Sequence, residues 1–220
     1  MPLILNMDTS TDYASVCLAR DGEVLLLAKN DQQKDHAAWL HPAIKKMMQD
    51  ARLELSHLDA VAVTIGPGSY TGLRVGLATA KGICYALGKP LIVINTLLVM
   101  AYAAKEETSD LLCPMIDARR MEVFTAVYNH KLEVVKEPLA LVIDENSFDD
   151  LLASNSICFF GNGSEKLKGV LKNQNAGFST VLHDAASMIK LAEDAFMKKQ
   201  FANLAYSEPL YLKEFYTPGR

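Results

Sequence analysis

A chain of 220 residues, half of them apolar, can bury a full core, either as one large domain or as two lobes of about 100 residues each. Its 22 basic and 26 acidic residues leave a net charge of −4, with both signs spread along the chain. That excludes a protein gripping a polyanion over its whole surface, because phosphate binding relies on clustered Lys and Arg, so any RNA has its main platform elsewhere.

The first eight residues carry no basic region, and Asn6 and Asp8 break their apolar stretch, so they do not read as a secretory signal. No run approaches the ~18 to 20 apolar residues that span a bilayer. Cys17, Cys84, Cys113 and Cys158 lie far apart in apolar stretches, without a C-x-x-C pair, and read as small core residues with reduced thiols. A cytoplasmic protein with no membrane partner is expected.

In chain order, residues 3–7 form a short apolar strand. Residues 13–19 and 23–28 flank Arg20-Asp21-Gly22, and the Asp-Gly step predicts an antiparallel hairpin. A helix over 35–53 carries Ala37, Leu40, Ile44, Met47, Met48 and Ala51 at helical spacing, with Asp35 as N-cap; Pro42 demands a later start or a kink. A buried strand at 60–65 ends at Gly66. A second helix over 71–87 stops at Gly88-Lys89-Pro90, a glycine C-cap followed by proline. A strand at 91–95 and an apolar helix from Thr96 to about Lys105 complete a first lobe, 1–104.

The polar stretch 105–110 marks the break to a second lobe, 105–220. There, 112–116, 122–128 and 133–142 predict an antiparallel meander, followed by a helix over 147–153, a strand at 157–160 and a helix over 185–199. Each lobe therefore places antiparallel strands before helices alternating with buried strands, which gives an α/β fold of mixed sheets faced by helices. At fold level this tandem is shared by the actin, Hsp70 and sugar-kinase ATPases, which does not by itself assign a function.

Four segments could carry chemistry. Asp8-Thr9-Ser10-Thr11 offers a carboxylate and hydroxyls at a strand end, fit for a phosphate or hydrated Mg²⁺, or equally for capping its own turn. The segment 66–74 (G-P-G-S-Y-T-G-L-R) invites comparison with a phosphate cradle, yet no Lys follows Gly72 and its glycine spacing misses the dinucleotide pattern. Gly72, Gly76 and Ala80 lie four apart with Thr79 nearby, so a smooth face lets another helix approach, from this chain or from a partner. Asp117-Ala118-Arg119-Arg120 is a charged turn that could face Asp8 across a cleft or hold a local ion pair, and Gly161-Asn162-Gly163 could graze an adenosine or simply turn the chain. His36 and His41, five apart, diverge by about 140° on a helix and make a poor zinc pair.

The segments I-L-N-M-D-T-S-T-D-Y-A-S-V (4–16), G-P-G-S-Y-T-G-L-R-V-G-L-A-T-A-K-G (66–82) and I-D-A-R-R-M-E-V (116–123), with P-L-Y-L at 209–212, resemble the TsaB (YeaZ) family along the whole chain. The resemblance implies a two-lobed actin-like ATPase (ribonuclease H-like) fold. It also implies a non-catalytic role in making N6-threonylcarbamoyladenosine in tRNAs that read ANN codons, beside a catalytic TsaD subunit and a TsaE ATPase. The metal-binding H-x-x-x-H of the catalytic relative is absent, since His36 and His41 are spaced H-x-x-x-x-H. The two first-lobe helices are expected to form the partner interface through Trp39, Leu40, Ile44, Met47, Gly72, Val75, Gly76, Thr79 and Ala80. The isolated chain is expected to pair with itself there. Asp8, Thr9, Ser10, Asp117 and Gly161 would be the vestige of a nucleotide cleft, with ATP or ADP held, if at all, at the complex interface. The competing reading is an ATPase or small-molecule kinase built on that cleft; a glycoprotease lacks a nucleophile or metal set.

Overall fold

The computed structural model describes residues 2–30, 32, 35–107 and 109–213. Strands β1 (Leu3–Asp8), β2 (Ala14–Arg20) and β3 (Glu23–Asn30) run antiparallel, and β4 (Ala60–Gly66) and β5 (Leu91–Asn95) add in parallel to give the order β3-β2-β1-β4-β5. The β2–β3 hairpin closes as the Asp-Gly step requires: Arg20 pairs with Glu23, and Asp21 and Gly22 take φ of 56° and 79°.

Helices α1 (His36–Asp50) and α2 (Tyr70–Leu87) cover one face of this sheet. Alternation along β1 sends Leu3, Leu5 and Met7 to that face and Ile4 to the other. Helix α1 runs through Pro42. Proline forfeits one helical hydrogen bond, and the burial of Leu40, Ile44, Met47 and Met48 holds the helix across it. Asp35 stands at the N-cap position but makes no side-chain cap bond. Helix α2 starts at Ser69, whose Oγ accepts the Gly72 N–H, and ends where Gly88 turns left-handed at φ 62°. Helix α3 (Thr96–Ala103) follows β5 directly.

In the second unit, β6 (Leu111–Asp117), β7 (Glu122–Asn129) and β8 (Val134–Val142) form the expected meander. Helices α4 (Asp149–Leu152) and α5 (Ser164–Lys168) are short. Strands β9 (Ile157–Phe160) and β10 (Ala176–Phe178) extend the sheet in parallel to the order β10-β9-β6-β7-β8. Phe159 sits at its core, 5.0 Å from the Phe148 ring and 5.6 Å from that of Phe178.

The division of the chain differs from the expected contiguous lobes 1–104 and 105–220. Residues Leu182–Pro209 belong to the first unit, and Ala104–Val181 with Leu210–Arg220 to the second. The expected 185–199 helix is a 3₁₀ turn (Ala185–Met188) running into α6 (Ile189–Met197). Ala185, Met188, Ile189 and Ala192 cover Ile4, Cys17, Ala60, Ala62 and Ile92 on the second face of the first sheet. Without that return the face would stay in water, at about 25 cal/mol for each Å² of apolar surface. Both units are mixed sheets faced by helices, and the chain has the actin-like ATPase fold. Among the described residues, no helix is long and apolar enough to cross a membrane.

Candidate functional site

Asp8 ends β1 inside the first unit, where its surroundings are complete. Its Oδ1 accepts the Ser10 N–H (3.0 Å), the Ser10 hydroxyl (2.6 Å) and the Thr64 hydroxyl (2.8 Å). On the other side, His183 Nε2 lies 3.2 Å from Oδ2. Burial by itself would raise the Asp8 carboxyl; the His183 imidazole and the Ser10 donors outweigh it and hold the group at about 2.

The rest of the turn is equally engaged. The Thr9 hydroxyl donates to the Gly72 carbonyl (2.8 Å), and the Ser10 carbonyl accepts the Ser69 N–H (2.7 Å). A Cβ on Gly72 would stand 2.0 Å from the Thr9 carbonyl oxygen, and one on Gly76 would stand 2.3 Å from Thr9 Oγ1. Gly72 and Gly76 therefore let this turn press onto α2. An actin-like fold implies a nucleotide whose phosphates meet the first turn; here the Asp8, Thr9 and Ser10 side chains are already engaged by Thr64, Gly72 and one another.

The second-unit candidates are engaged within their own unit. Asp117 Oδ1 accepts the Arg119 N–H (2.5 Å) and the Lys166 ammonium (2.6 Å), which also reaches the Glu122 carbonyl (3.0 Å). Asn162, next to Gly161, accepts the Asp117 N–H at 2.9 Å. Arg119 and Arg120 take left-handed φ of 69° and 50° at the tip of this hairpin. The local ion pair expected of the Asp-Arg turn forms instead with Lys166.

His36 and His41 go separate ways. His36 Nε2 lies 2.8 Å from the Thr11 carbonyl, and His41 Nε2 lies 3.4 Å from the Thr79 hydroxyl. Among the described residues, no three His, Cys, Asp or Glu side chains gather as a metal would require.

The expected interface residues divide by face. Leu40, Ile44, Met47, Gly72, Gly76 and Ala80 are buried within the first unit, and Trp39 packs half-buried on the same core. This corrects the assignment of the six buried residues to a partner surface: the smooth Gly72–Gly76–Ala80 strip faces the chain's own first turn and sheet. Val75, half-buried against the same core, and Thr79, itself buried, also line a groove between α1 and α2, with Ala37, His41, Gly82 and Ile83. The groove holds about 550 Å³ and is walled almost wholly by apolar atoms. Helical spacing gave both faces of α2 small residues; what distinguished them was which side met β1 and β4. Sequence reasoning also missed His183 and Thr64, since nothing local ties a histidine so far along the chain to the first turn.

The model of the TsaD family, described as tRNA N6-adenosine threonylcarbamoyltransferase, matches residues 29–209. The tRNA threonylcarbamoyladenosine biosynthesis protein TsaB of Haemophilus influenzae is 30% identical over 99% of this chain and 98% of that protein. The chain belongs to the TsaB family. YeaZ from Pseudomonas aeruginosa superposes with a TM-score of 0.82 at 25% identity, over 96% of this chain and 100% of that one. The family's kinship with the transferase is partial in length. The tRNA N6-adenosine threonylcarbamoyltransferase of Erythrobacter litoralis is 34% identical over 52% of this chain but only 38% of its own length.

Proposed function

We propose that this chain is a partner subunit, without a catalytic centre of its own, for the formation of N6-threonylcarbamoyladenosine in tRNAs that read ANN codons. It pairs with a TsaD-type transferase chain, a TsaE-type ATPase joins the pair, and tRNA is engaged through the partner, in the cytoplasm. Alone, two copies pair through the same face. Any ATP or ADP sits at the complex interface rather than on the closed first turn.

The observation that carries this reading is the apolar groove between α1 and α2, in a chain whose phosphate turn is filled by its own Ser69, Gly72 and His183. A concave apolar surface between two helices is a shape that the apolar side chains of a partner's helix can fill. The occupant follows from kinship: the TsaD family model matches this chain across both helices, so a transferase carries a related helix pair that can pack on this one about a pseudo-two-fold axis. The net charge of −4 suits a subunit that leaves RNA binding to others.

The test is co-purification of the tagged chain with the TsaD-type chain of the same organism. Val75→Glu places a charge in the groove and should abolish capture while the variant keeps its circular dichroism spectrum; capture at the wild-type level would remove the reading. Gly76→Leu is unsuitable, because its side chain would strike Thr9 Oγ1 and should destabilise the unit.

A further inference from the structure

The groove does not exhaust the outer face of α2. Tyr85 stands three positions after Gly82 and seven after Ala78, both in the groove wall, so it borders the same strip of the helix. One turn earlier, the Lys81 ammonium donates to the carbonyls of Ala205 (3.2 Å) and Ser207 (3.1 Å), pinning the segment Asn203 to Ser207 onto α2. That segment is internally braced. Asn203 Oδ1 accepts the N–H groups of Ala205 (2.9 Å) and Tyr206 (3.2 Å), and the Asn203 carbonyl accepts the Ser207 N–H (2.9 Å) and hydroxyl (2.6 Å). Just before it, the Ala202 N–H bonds the Leu91 carbonyl at 2.8 Å, and Ala202 and Leu204 pack into the core.

Tyr206 thus projects from a rigid turn, between the two carbonyls that Lys81 holds. Tyr206 and Tyr85 are each 82% exposed. Large aromatics held on rigid backbone lose little freedom on binding and dominate interface energetics. We infer that Tyr85 and Tyr206 are an anchoring extension of the α1–α2 groove and grip the same partner chain; the inference rests on the groove being the docking face proposed above. Stacking on RNA bases is the competing use of exposed aromatics and calls for unengaged cations alongside them. Lys81, one turn before Tyr85 and holding the segment that carries Tyr206, is spent on carbonyl oxygens.

The test is calorimetric titration of the full chain with the TsaD-type chain of the same organism. It is run for wild type, Tyr85→Ala, Tyr206→Ala and the groove variant Val75→Glu, with thermal melts as the folding check. Each tyrosine variant should melt as wild type does and bind about tenfold or more weakly. Wild-type affinity in both tyrosine variants, with binding lost in Val75→Glu, would overturn the inference and leave the groove reading standing. Wild-type affinity in all three would overturn both. A third outcome, unchanged protein association with loss of binding to an unmodified tRNA transcript, assigns the tyrosines to RNA and also overturns the inference.

Discussion

His183 approaches the buried Asp8 carboxylate to 3.2 Å, tying the segment that returns from the second unit to the first turn of the chain. The carboxyl falls from the ordinary 3.8 to about 2 in the fold, and the contribution to stability follows from that difference. A depressed carboxyl stabilises fully above its unfolded value and loses that contribution as pH falls towards about 2. Asp8→Asn should cost about 2 kcal/mol at neutral pH. Urea denaturation at pH 7 and pH 3 checks this: the gap between wild type and variant should narrow at the lower pH.

Two glycines of α2 should respond oppositely to alanine. The Cβ of Gly72→Ala meets the Thr9 carbonyl oxygen at 2.0 Å, backbone that cannot step aside, so the variant should lose about 3 kcal/mol or fail to fold. Gly82 has nothing within 4 Å, and Gly82→Ala should gain up to about 1 kcal/mol from helix propensity. Thermal melts of the two proteins separate a glycine kept for close approach from one that is not.

The four thiols should be inert. Burial raises Cys17 and Cys113 to about 12 and Cys84 and Cys158 to about 11, leaving almost no thiolate at neutral pH. Titration of the native protein with a thiol-reactive chromophore should give no fast-reacting cysteine, and four after unfolding in guanidinium.

The hairpin at Asp21-Gly22, the buried strands and the Gly88 stop of α2 were legible because each rests on local chemistry: a positive φ, an apolar run, a missing side chain. The return of Leu182–Pro209 was not, because the apolar spacing of Ala185, Met188, Ile189 and Ala192 tells that a face is covered but not which sheet it covers. The same limit affected the interface. Gly72, Gly76 and Ala80 signal a close approach, and the sequence does not say that the approaching group is Thr9 of the same chain. Val75 and Thr79, on the neighbouring strip, remain at the groove.

Calorimetric titration of the TsaD-type chain into Ile83→Glu, set beside wild type, tests the docking groove most directly, since Ile83 lines it on α2. Ile83 also packs half-buried on the first unit's core, so thermal melts accompany the titration; in protein that melts as folded, a carboxylate buried in the groove without a partner should weaken association by ~30-fold or more. An Ile83→Glu protein that binds with wild-type affinity would contradict the account.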